Sequence, residues 1–172
     1  MAQEDATITR KNNKLFHYDA FTAVLKKAGI ILYLADNAGE TVCDRVLIEE
    51  IKKRYPQKRI VYAVKAASII NDADENDASS CGIHTVCEVV SSGSDAPGTV
   101  LSLCSKEFLR LYRRADMVIS KGQGNFEALS RTRRSVFFMF MVKCAVIADH
   151  VNCPVGSIVL RYHNPVRMVR KD

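Results

Sequence analysis

The sequence predicts an α/β fold in which a mainly parallel, Rossmann-like sheet is covered by helices on both faces. Short apolar runs rich in β-branched residues alternate along the chain with segments of helical periodicity, which is the rhythm of successive βαβ units. These runs lack a strict alternation of polar and apolar residues, as expected for strands that are buried on both faces.

The elements follow from spacing and from stop signals. The first helix is predicted over 18–27, because Phe21, Val24 and Leu25 share one side and Lys-Lys-Ala-Gly ends it. Strands are predicted over 29–35, 59–64, 85–91 and 116–120, with a further core element over 136–147. Helices are predicted over 40–54, from about 72, over 100–113 and over 125–130. The helical period places two sets of residues on buried faces: Cys43, Leu47 and Ile51, and Leu101, Cys104, Phe108 and Leu111.

Composition excludes several classes of protein. The chain has 172 residues, of which 48% are hydrophobic and 26% charged, which is typical of one folded domain and not of a disordered chain. Its start is polar, which argues against a signal peptide. Its longest apolar run is shorter than the roughly 20 residues that a membrane-spanning helix needs. The six cysteines form no Cys-x-x-Cys pair. They therefore indicate free thiols and a reducing, cytoplasmic compartment.

The net charge of +6 is concentrated in the run RTRR at 131–134 and in the segment 161–171. Aromatic residues are scarce there, which favours a solvated surface or anion steering over a nucleic-acid groove. We predict a flexible N-terminal segment over 1–15, one α/β domain over 16–164 and a basic tail over 165–172.

Polar clusters follow four predicted strands. Asp36 and Asn37 come after the first, Asp72 lies just beyond the second, and the segments 92–99 and 121–127 follow the third and fourth. In open α/β sheets, ligands bind outside the carboxyl ends of the strands. We therefore expect these four loops to converge on one site.

The residue types in these loops suit a divalent cation and a phosphate. Oxygen atoms of Asp36, Asn37 and Asp72 match the ligands of Mg²⁺ or Mn²⁺ and, with less selectivity, of Co²⁺ or Ni²⁺. Lys121 provides a point charge for a phosphoryl oxygen, and Gly122 and Gly124 let the backbone approach an anion.

Each feature also has a purely structural interpretation. Asp36, Asn37 and Asp72 are residue types that cap helices. The Gly-Gln-Gly sequence after the fourth strand is compatible with an ordinary tight turn. Glu40 and Glu127 lie in first helical turns, where carboxylates are favoured without any ligand.

Five motifs occur in order along the chain: DNAGE, INDA followed by Asp77, SSGSDAPGT, ADMVISKGQGNFEAL and VIADHVNCPVGSIVL. In this order and spacing they resemble the damage-control metal phosphatase family, formerly a domain of unknown function, with a human member described as an acidic-residue methyltransferase. The resemblance runs from about Phe16 to Leu160. It implies a three-layer α/β/α sandwich, a bound divalent cation and hydrolysis of small phosphate esters such as sugar phosphates or damaged phosphometabolites.

Carried over to this chain, the family's metal ligands fall on Asp36, Asn37 and Asp72, which with Lys121 form the expected catalytic set. Substrate contacts are expected from the surrounding loops: Gly39, Glu40, Ser92, Ser94, Asp95, Lys121, Gly122, Gly124 and Asn125.

The chain departs from the family pattern in three places. Lys65-Ala66-Ala67-Ser68 replaces the usual basic residue and Gly-Gly-Pro turn, and Asp74 replaces a common Thr, which we expect to add negative charge near the metal. Relatives also carry a helical domain upstream of the first strand. We therefore expect a fragment, a minimal member, or a site completed by another subunit in a homo-oligomer.

The sequence thus favours a metal-dependent phosphomonoester hydrolase acting on a small phosphorylated metabolite, with no membrane or nucleic-acid partner. One alternative is a non-catalytic or fragmentary member that binds metal without efficient turnover. The other is an S-adenosylmethionine-dependent methyltransferase, which is disfavoured because the first strand ends in DNAGE and not in a glycine-rich turn.

Overall fold

The computed structural model describes residues 15–165. The helices in this range are α1 (Tyr18–Lys27), α2 (Thr41–Arg54), α3 (Glu75–Ser80), α4 (Lys106–Arg114), α5 (Gln123–Leu129) and α6 (Ala145–Val151). The strands are β1 (Ile30–Leu34), β2 (Arg59–Val64), β3 (Glu88–Ser91), β4 (Met117–Lys121), β5 (Val136–Met141) and β6 (Ile158–His163). Positions 1–14 of the predicted N-terminal segment and 166–172 of the predicted tail lie outside the described residues.

The strands form a six-stranded sheet in the order β3-β2-β1-β4-β5-β6. Strands β1 to β5 pair in parallel, whereas β6 runs antiparallel to β5 at the sheet edge. The predicted mainly parallel α/β sheet is therefore confirmed.

Helices cover both faces of the sheet. Alternate residues of β1 face opposite sides, so Tyr33 joins the core formed with α1, α2 and α3, and Leu32 joins the core formed with α4, α5 and α6. Both residues are fully buried. This is the expected three-layer α/β/α arrangement, and it explains why the strands show no polar-apolar alternation.

The predicted buried face of α2 is wrong at Cys43 and confirmed at Ile51. Cys43 is exposed, and the helix instead buries Thr41, Asp44, Ile48 and Ile51. This stripe also has helical spacing, but it includes two polar residues, so apolar periodicity alone does not find it.

The predicted helix over 100–113 is interrupted. Residues Leu101–Leu103 form a 3-10 turn, and α4 begins only after Ser105, whose hydroxyl accepts the Phe108 N–H at 3.1 Å. Such a cap satisfies one of the orphan N–H groups at a helix start.

The apolar run over 136–147 is two elements. It divides into β5 and α6, separated at Lys143 and Cys144, and the chain then returns as β6, which the sequence reasoning did not predict. The helix expected from about residue 72 begins at Glu75, after a capping box built by Asp74 and Asp77.

The order of the strands places a switch point between β1 and β4. From β1 the chain crosses to β2 through α2 on one face, and from β4 it crosses to β5 through α5 on the other. The carboxyl ends of these two strands therefore open a crevice, which is where α/β sheets of this kind bind ligands.

None of the helices described for residues 15–165 is long and apolar enough to cross a membrane. All six cysteines lie within that range and carry free thiols. The cytoplasmic compartment inferred from the cysteines stays a prediction.

Candidate active site

The loops after β1 and β2 bring the predicted metal ligands together. Asn37 and Asp72 pair through an isolated antiparallel bridge. Beside it, the Ala73 N–H donates to the Asp36 carbonyl at 2.7 Å. Backbone hydrogen bonds thus hold the three residues next to one another at the carboxyl edge of the sheet.

The Asp36 carboxyl group lies among other acidic groups. Asp36 is only 9% exposed, and burial together with the charges of Glu40 and Asp72 raises its pKa to about 6. The Asn37 amide donates to Asp36 Oδ2 at 2.9 Å and to Glu40 Oε1 at 3.2 Å. Within residues 15–165, no Lys or Arg forms an ion pair with Asp36. The site therefore carries negative charge that its own cations only partly offset.

Gly122, the first residue after β4, provides the space that Asp36 occupies. Its φ of +80° lies in the left-handed region that favours glycine. A Cβ at this position would overlap the carboxyl carbon and both carboxyl oxygens of Asp36. We expected Gly122 to let the backbone approach an anion, and the anionic group that it faces is the Asp36 side chain.

Lys121 is held by two carboxylates. Its Nζ donates to Glu40 Oε2 at 2.9 Å and to Asp44 Oδ1 at 2.6 Å. Burial by itself lowers the pKa of Lys121, but these two carboxylates outweigh it and raise the pKa above the ordinary value. The ammonium group is therefore charged, and two of its three N–H donors have protein acceptors.

Asp44 organises the base of the site. It is 1% exposed, and its carboxylate accepts the Tyr33 hydroxyl at 2.7 Å and the Tyr62 hydroxyl at 2.9 Å in addition to Lys121. Burial, followed by the charge of Asp44, raises the pKa of both tyrosines. A buried carboxylate is thus compensated by one cation and two hydroxyl donors, as buried charges require.

Lys65 connects Asp72 to the loop that follows β3. Its Nζ lies 3.3 Å from Asp72 Oδ2 and donates to the carbonyls of Ala96, at 2.9 Å, and Gly98. Lys65 is only 6% exposed. Lys65 therefore places a buried cation beside a predicted metal ligand.

Ser92 and Ser94 shape this loop. The Ser92 hydroxyl accepts the Ser94 N–H at 3.4 Å, and the Ser94 hydroxyl accepts the Ala96 N–H at 3.2 Å. Both serines are buried, whereas Asp95 is exposed. The two serines are predicted to contact substrate, but in this structure their hydroxyl groups accept hydrogen bonds from backbone N–H groups of the same loop.

Asn125 is also engaged within the protein. Its Nδ2 donates to the carbonyls of Ala35 and Lys121, both at 2.8 Å, and its Oδ1 accepts the Thr99 hydroxyl at 2.7 Å. The residue is 1% exposed. Asn125, predicted to bind substrate, joins the ends of β1 and β4 to the loop after β3.

Gly124, in α5, lies against the loop that follows β3. A Cβ on Gly98 would fall 2.7 Å from the Gly124 carbonyl oxygen, whereas a Cβ on Gly124 itself would make only ordinary contacts at 4.0 Å. Gly39 is exposed, and a Cβ there would meet no atom within 4 Å.

Asp36, Asn37 and Asp72 do not act as helix caps in this structure. Asn37 precedes a 3-10 turn without a side-chain cap bond. The capping residue of α3 is Asp74, whose Oδ1 accepts two backbone N–H groups and whose Oδ2 accepts the Ser68 hydroxyl at 2.5 Å. The Ser68 bond and the backbone bonds lower the pKa of Asp74. Its charge, which we expected to add to the metal site, is instead used to start the helix.

The family model of the damage-control phosphatase ARMT1-like domain matches residues 2–159. The chain belongs to this family. It is 42% identical over 134 residues to an uncharacterised protein of Methanocaldococcus jannaschii and 39% identical over 136 residues to a damage-control phosphatase of Pyrococcus horikoshii. A damage-control phosphatase of Archaeoglobus fulgidus is 30% identical over 136 residues.

These alignments cover 76–78% of the chain but only 43–47% of each relative, so the chain spans about half the length of the curated relatives it matches. The crystal structure of the Pyrococcus horikoshii protein, described as a DUF89 family protein, superposes with a TM-score of 0.82 at 36% identity. That superposition covers 88% of this chain and 54% of the other.

Two charged groups of the candidate site were missed by the sequence reasoning. Asp44 was overlooked because the helical pattern of apolar residues placed Cys43, and not Asp44, on the buried face of α2. Lys143 was overlooked because the run over 136–147 was not divided, yet it follows β5 as the other site residues follow their strands. The charge of Lys143 offsets part of the rise in the pKa of Asp36 that burial causes. Burial also tends to raise the pKa of Glu40, but Lys121 and, after it, Lys143 lower this pKa below its ordinary value. Applying the strand-end rule to β5 would have found it.

Replacing Asp44 tests how far the fold depends on its carboxylate. Asp44→Ala leaves the buried hydroxyls of Tyr33 and Tyr62 without their acceptor and leaves the Lys121 ammonium with Glu40 alone. We expect a loss of about 3–5 kcal/mol in the free energy of unfolding. Urea denaturation measures it. The control Asp149→Ala removes an exposed carboxylate and is expected to change stability by less than about 0.5 kcal/mol. Equal stability of the two variants would contradict the role of Asp44.

Proposed function

We propose that this chain binds a divalent cation at Asp36, Asn37 and Asp72 and hydrolyses small phosphate esters. The observation that carries the proposal is the Asp36 carboxyl group, which is held against Gly122 beside two further carboxylates and is not used as a helix cap. Family membership and two relatives named damage-control phosphatases support a phosphatase.

The donor set fits a hard cation. Within residues 15–165, no group of three or more His, Cys, Asp and Glu side chains is arranged to hold a metal. The proposed set instead combines the carboxylates of Asp36 and Asp72 with the amide oxygen of Asn37. Such oxygen ligands suit Mg²⁺ or Mn²⁺, which usually keep several water molecules and bind through one or two carboxylates plus substrate phosphate. Co²⁺ or Ni²⁺ would bind with less selectivity.

A cation bound there supplies positive charge that polarises a phosphoryl group. The chain's own residues supply the rest of the site. Lys121, with one N–H donor beyond those given to Glu40 and Asp44, binds one phosphoryl oxygen. Asp44 and Glu40 keep that ammonium charged and fixed in place, so little reorganisation is needed when charge develops on the phosphoryl oxygens.

Nothing in the described residues favours the methyltransferase alternative. The loop after β1 has Gly39 as its single glycine. In this loop, Asn37 and Glu40 are tied by hydrogen bonds to Asp36 and Lys121.

The experiment that tests the proposal is a screen for phosphate release. Purified protein is assayed on a panel of sugar phosphates and other phosphate esters with Mg²⁺, Mn²⁺, Co²⁺ or Ni²⁺, and with chelator as control. We expect release that requires metal. Metal binding without release from any ester would favour the non-catalytic alternative, and release in chelator would refute metal dependence.

Asp36→Ala and Asp72→Ala are each expected to abolish metal-dependent release, because each removes a proposed ligand. Calorimetric titration with Mn²⁺ is expected to show the loss of binding directly. Asp149→Ala serves as the control for removing a carboxylate. Full activity of either site variant at saturating metal would disprove the ligand assignment.

Gly122→Ala provides a test that leaves every proposed ligand in the sequence. The added Cβ displaces the Asp36 carboxyl group, and we expect Mn²⁺ affinity to fall roughly 10- to 100-fold, as for other changes in the support of a metal ligand. Gly124→Ala, two residues away, adds a methyl group where there is room and is expected to bind Mn²⁺ normally. If the two variants had the same affinity, the packing of Asp36 on Gly122 would be irrelevant to the site.

Lys121→Ala is expected to lower turnover roughly tenfold or more with little change in Mn²⁺ affinity, since loss of one stabilising charge costs about 2–4 kcal/mol in the transition state. Because Asp44 loses its cation in this variant, the folded fraction is measured by circular dichroism alongside the kinetics. Lys106→Ala, at an exposed position in α4, is the matched control. Normal turnover of folded Lys121→Ala would assign this lysine a structural role only.

A further inference from the structure

The basic run at 131–134, which the proposed active site does not use, lines a groove at the other end of the sheet. The groove has a volume of about 450 Å³, and its basic lining residues are Arg131, Arg133, Arg161, His150 and His163. We call it the arginine groove. Arg161 and His163 come from β6, about 30 residues along the chain from the RTRR run, so the fold unites two basic segments that are distant in sequence.

The arginine groove carries uncompensated positive charge. Its lining contains no Asp or Glu. In the part of the chain that the structure describes, neither Arg131 nor Arg133 forms an ion pair or a side-chain hydrogen bond. The guanidinium group of Arg161 forms no ion pair there either and lies over the Phe126 ring, 5.8 Å from its centroid. Three guanidinium groups thus surround one space without a protein anion.

The fourth arginine of the region serves the fold instead. Arg134 donates to the carbonyls of Arg113 and Ala115 at the end of α4, and it lies over the Tyr112 ring. One member is fixed by the protein, and its neighbours at 131 and 133 face an open groove.

The groove has a firm base. His163 is buried, and its Nε2 lies 2.8 Å from the Thr132 carbonyl, which ties the RTRR run to β6. Arg161 pairs with Phe138 in the sheet, and the ring of Phe126 stacks on Phe140 beneath it. Arg161 is therefore held on a strand and an aromatic pair, which reduces the entropy lost when it binds a ligand.

The arginine groove is separate from the proposed active site. His163 pairs with Val136 at the start of β5, whereas the active site lies beyond the carboxyl ends of the parallel strands. The six residues of β5 span about 20 Å, which separates the His163 end of the groove from the carboxyl ends of the strands. Arg161, opposite Phe138, lies midway along this length.

We propose that the arginine groove binds a small ligand that carries a di- or triphosphate group. Guanidinium groups bind phosphate oxygens through paired N–H donors, and three of them suit a ligand with several negative charges. The volume lies within the range of small-ligand pockets, about 300–1,000 Å³. The chain after Pro165 is a poor occupant, because Arg167, Arg170 and Lys171 outnumber Asp172.

The test is a calorimetric titration with tripolyphosphate in the presence of chelator. Arg131→Gln/Arg133→Gln is compared with Arg54→Gln/Arg113→Gln, which removes the same charge from exposed helix positions. We expect the groove variant to weaken binding roughly tenfold or more through lost charge-assisted bonds, and the control to bind as the unmodified chain does. Equal weakening in both variants, or no binding by the unmodified chain, would overturn the proposal.

Amide NMR spectra identify where tripolyphosphate binds, independently of the variants. We expect shifts at residues 130–133, 150 and 161, and the same shifts in Lys121→Ala. Shifts confined to residues 36–40 and 121–125 would place the ligand in the active site and refute the groove. If a single-stranded oligonucleotide bound more tightly than tripolyphosphate through the same arginines, the small-ligand proposal would be wrong and the groove would be a nucleic-acid site. The groove variant is also expected to retain the metal-dependent phosphate release of the unmodified chain.

Discussion

The close packing of the Asp36 carboxyl group on Gly122 is the contact on which the site depends. It joins the ends of β1 and β4, which are neighbours at the switch point of the sheet, and it is possible only because position 122 has no side chain and a positive φ. The same strand end positions Lys121 against Asp44 and Glu40. The end of β4 thus fixes both Asp36, a proposed cation ligand, and Lys121, the proposed phosphate contact.

Most of the fold could be predicted from the sequence, because strands buried on both faces and helices with terminal signals leave clear local patterns. Helix α1 and strand β2 have the predicted bounds. The errors arose where local pattern and tertiary structure differ. The apolar run from Val136 did not show where β5 ends, and β6 pairs antiparallel at an edge that the βαβ rhythm does not anticipate.

The clustering of Asp36, Asn37 and Asp72 could be predicted because the strand-end rule depends on topology alone. The partners of each side chain could not. A search for apolar stripes does not find Asp44, because it is a charged residue. Its burial is favourable only because other elements bring hydrogen-bond donors to its carboxylate, here the hydroxyls of Tyr33 and Tyr62. Asn125, Ser92 and Ser94 had the composition of ligand-binding residues, but their hydrogen bonds go to the protein.

The proposed cation site consists of Asp36, Asn37 and Asp72, at the carboxyl ends of β1 and β2. The most direct measurement is paramagnetic broadening of amide NMR signals by substoichiometric Mn²⁺, which requires no substrate and no assumption about turnover. We expect the signals of residues 36–38, 71–73 and 122 to be lost first, while those of the arginine groove persist. Broadening centred elsewhere, for example on the acidic residues of α2 at 49 and 50, or uniform weak broadening across the chain, would contradict the proposed site.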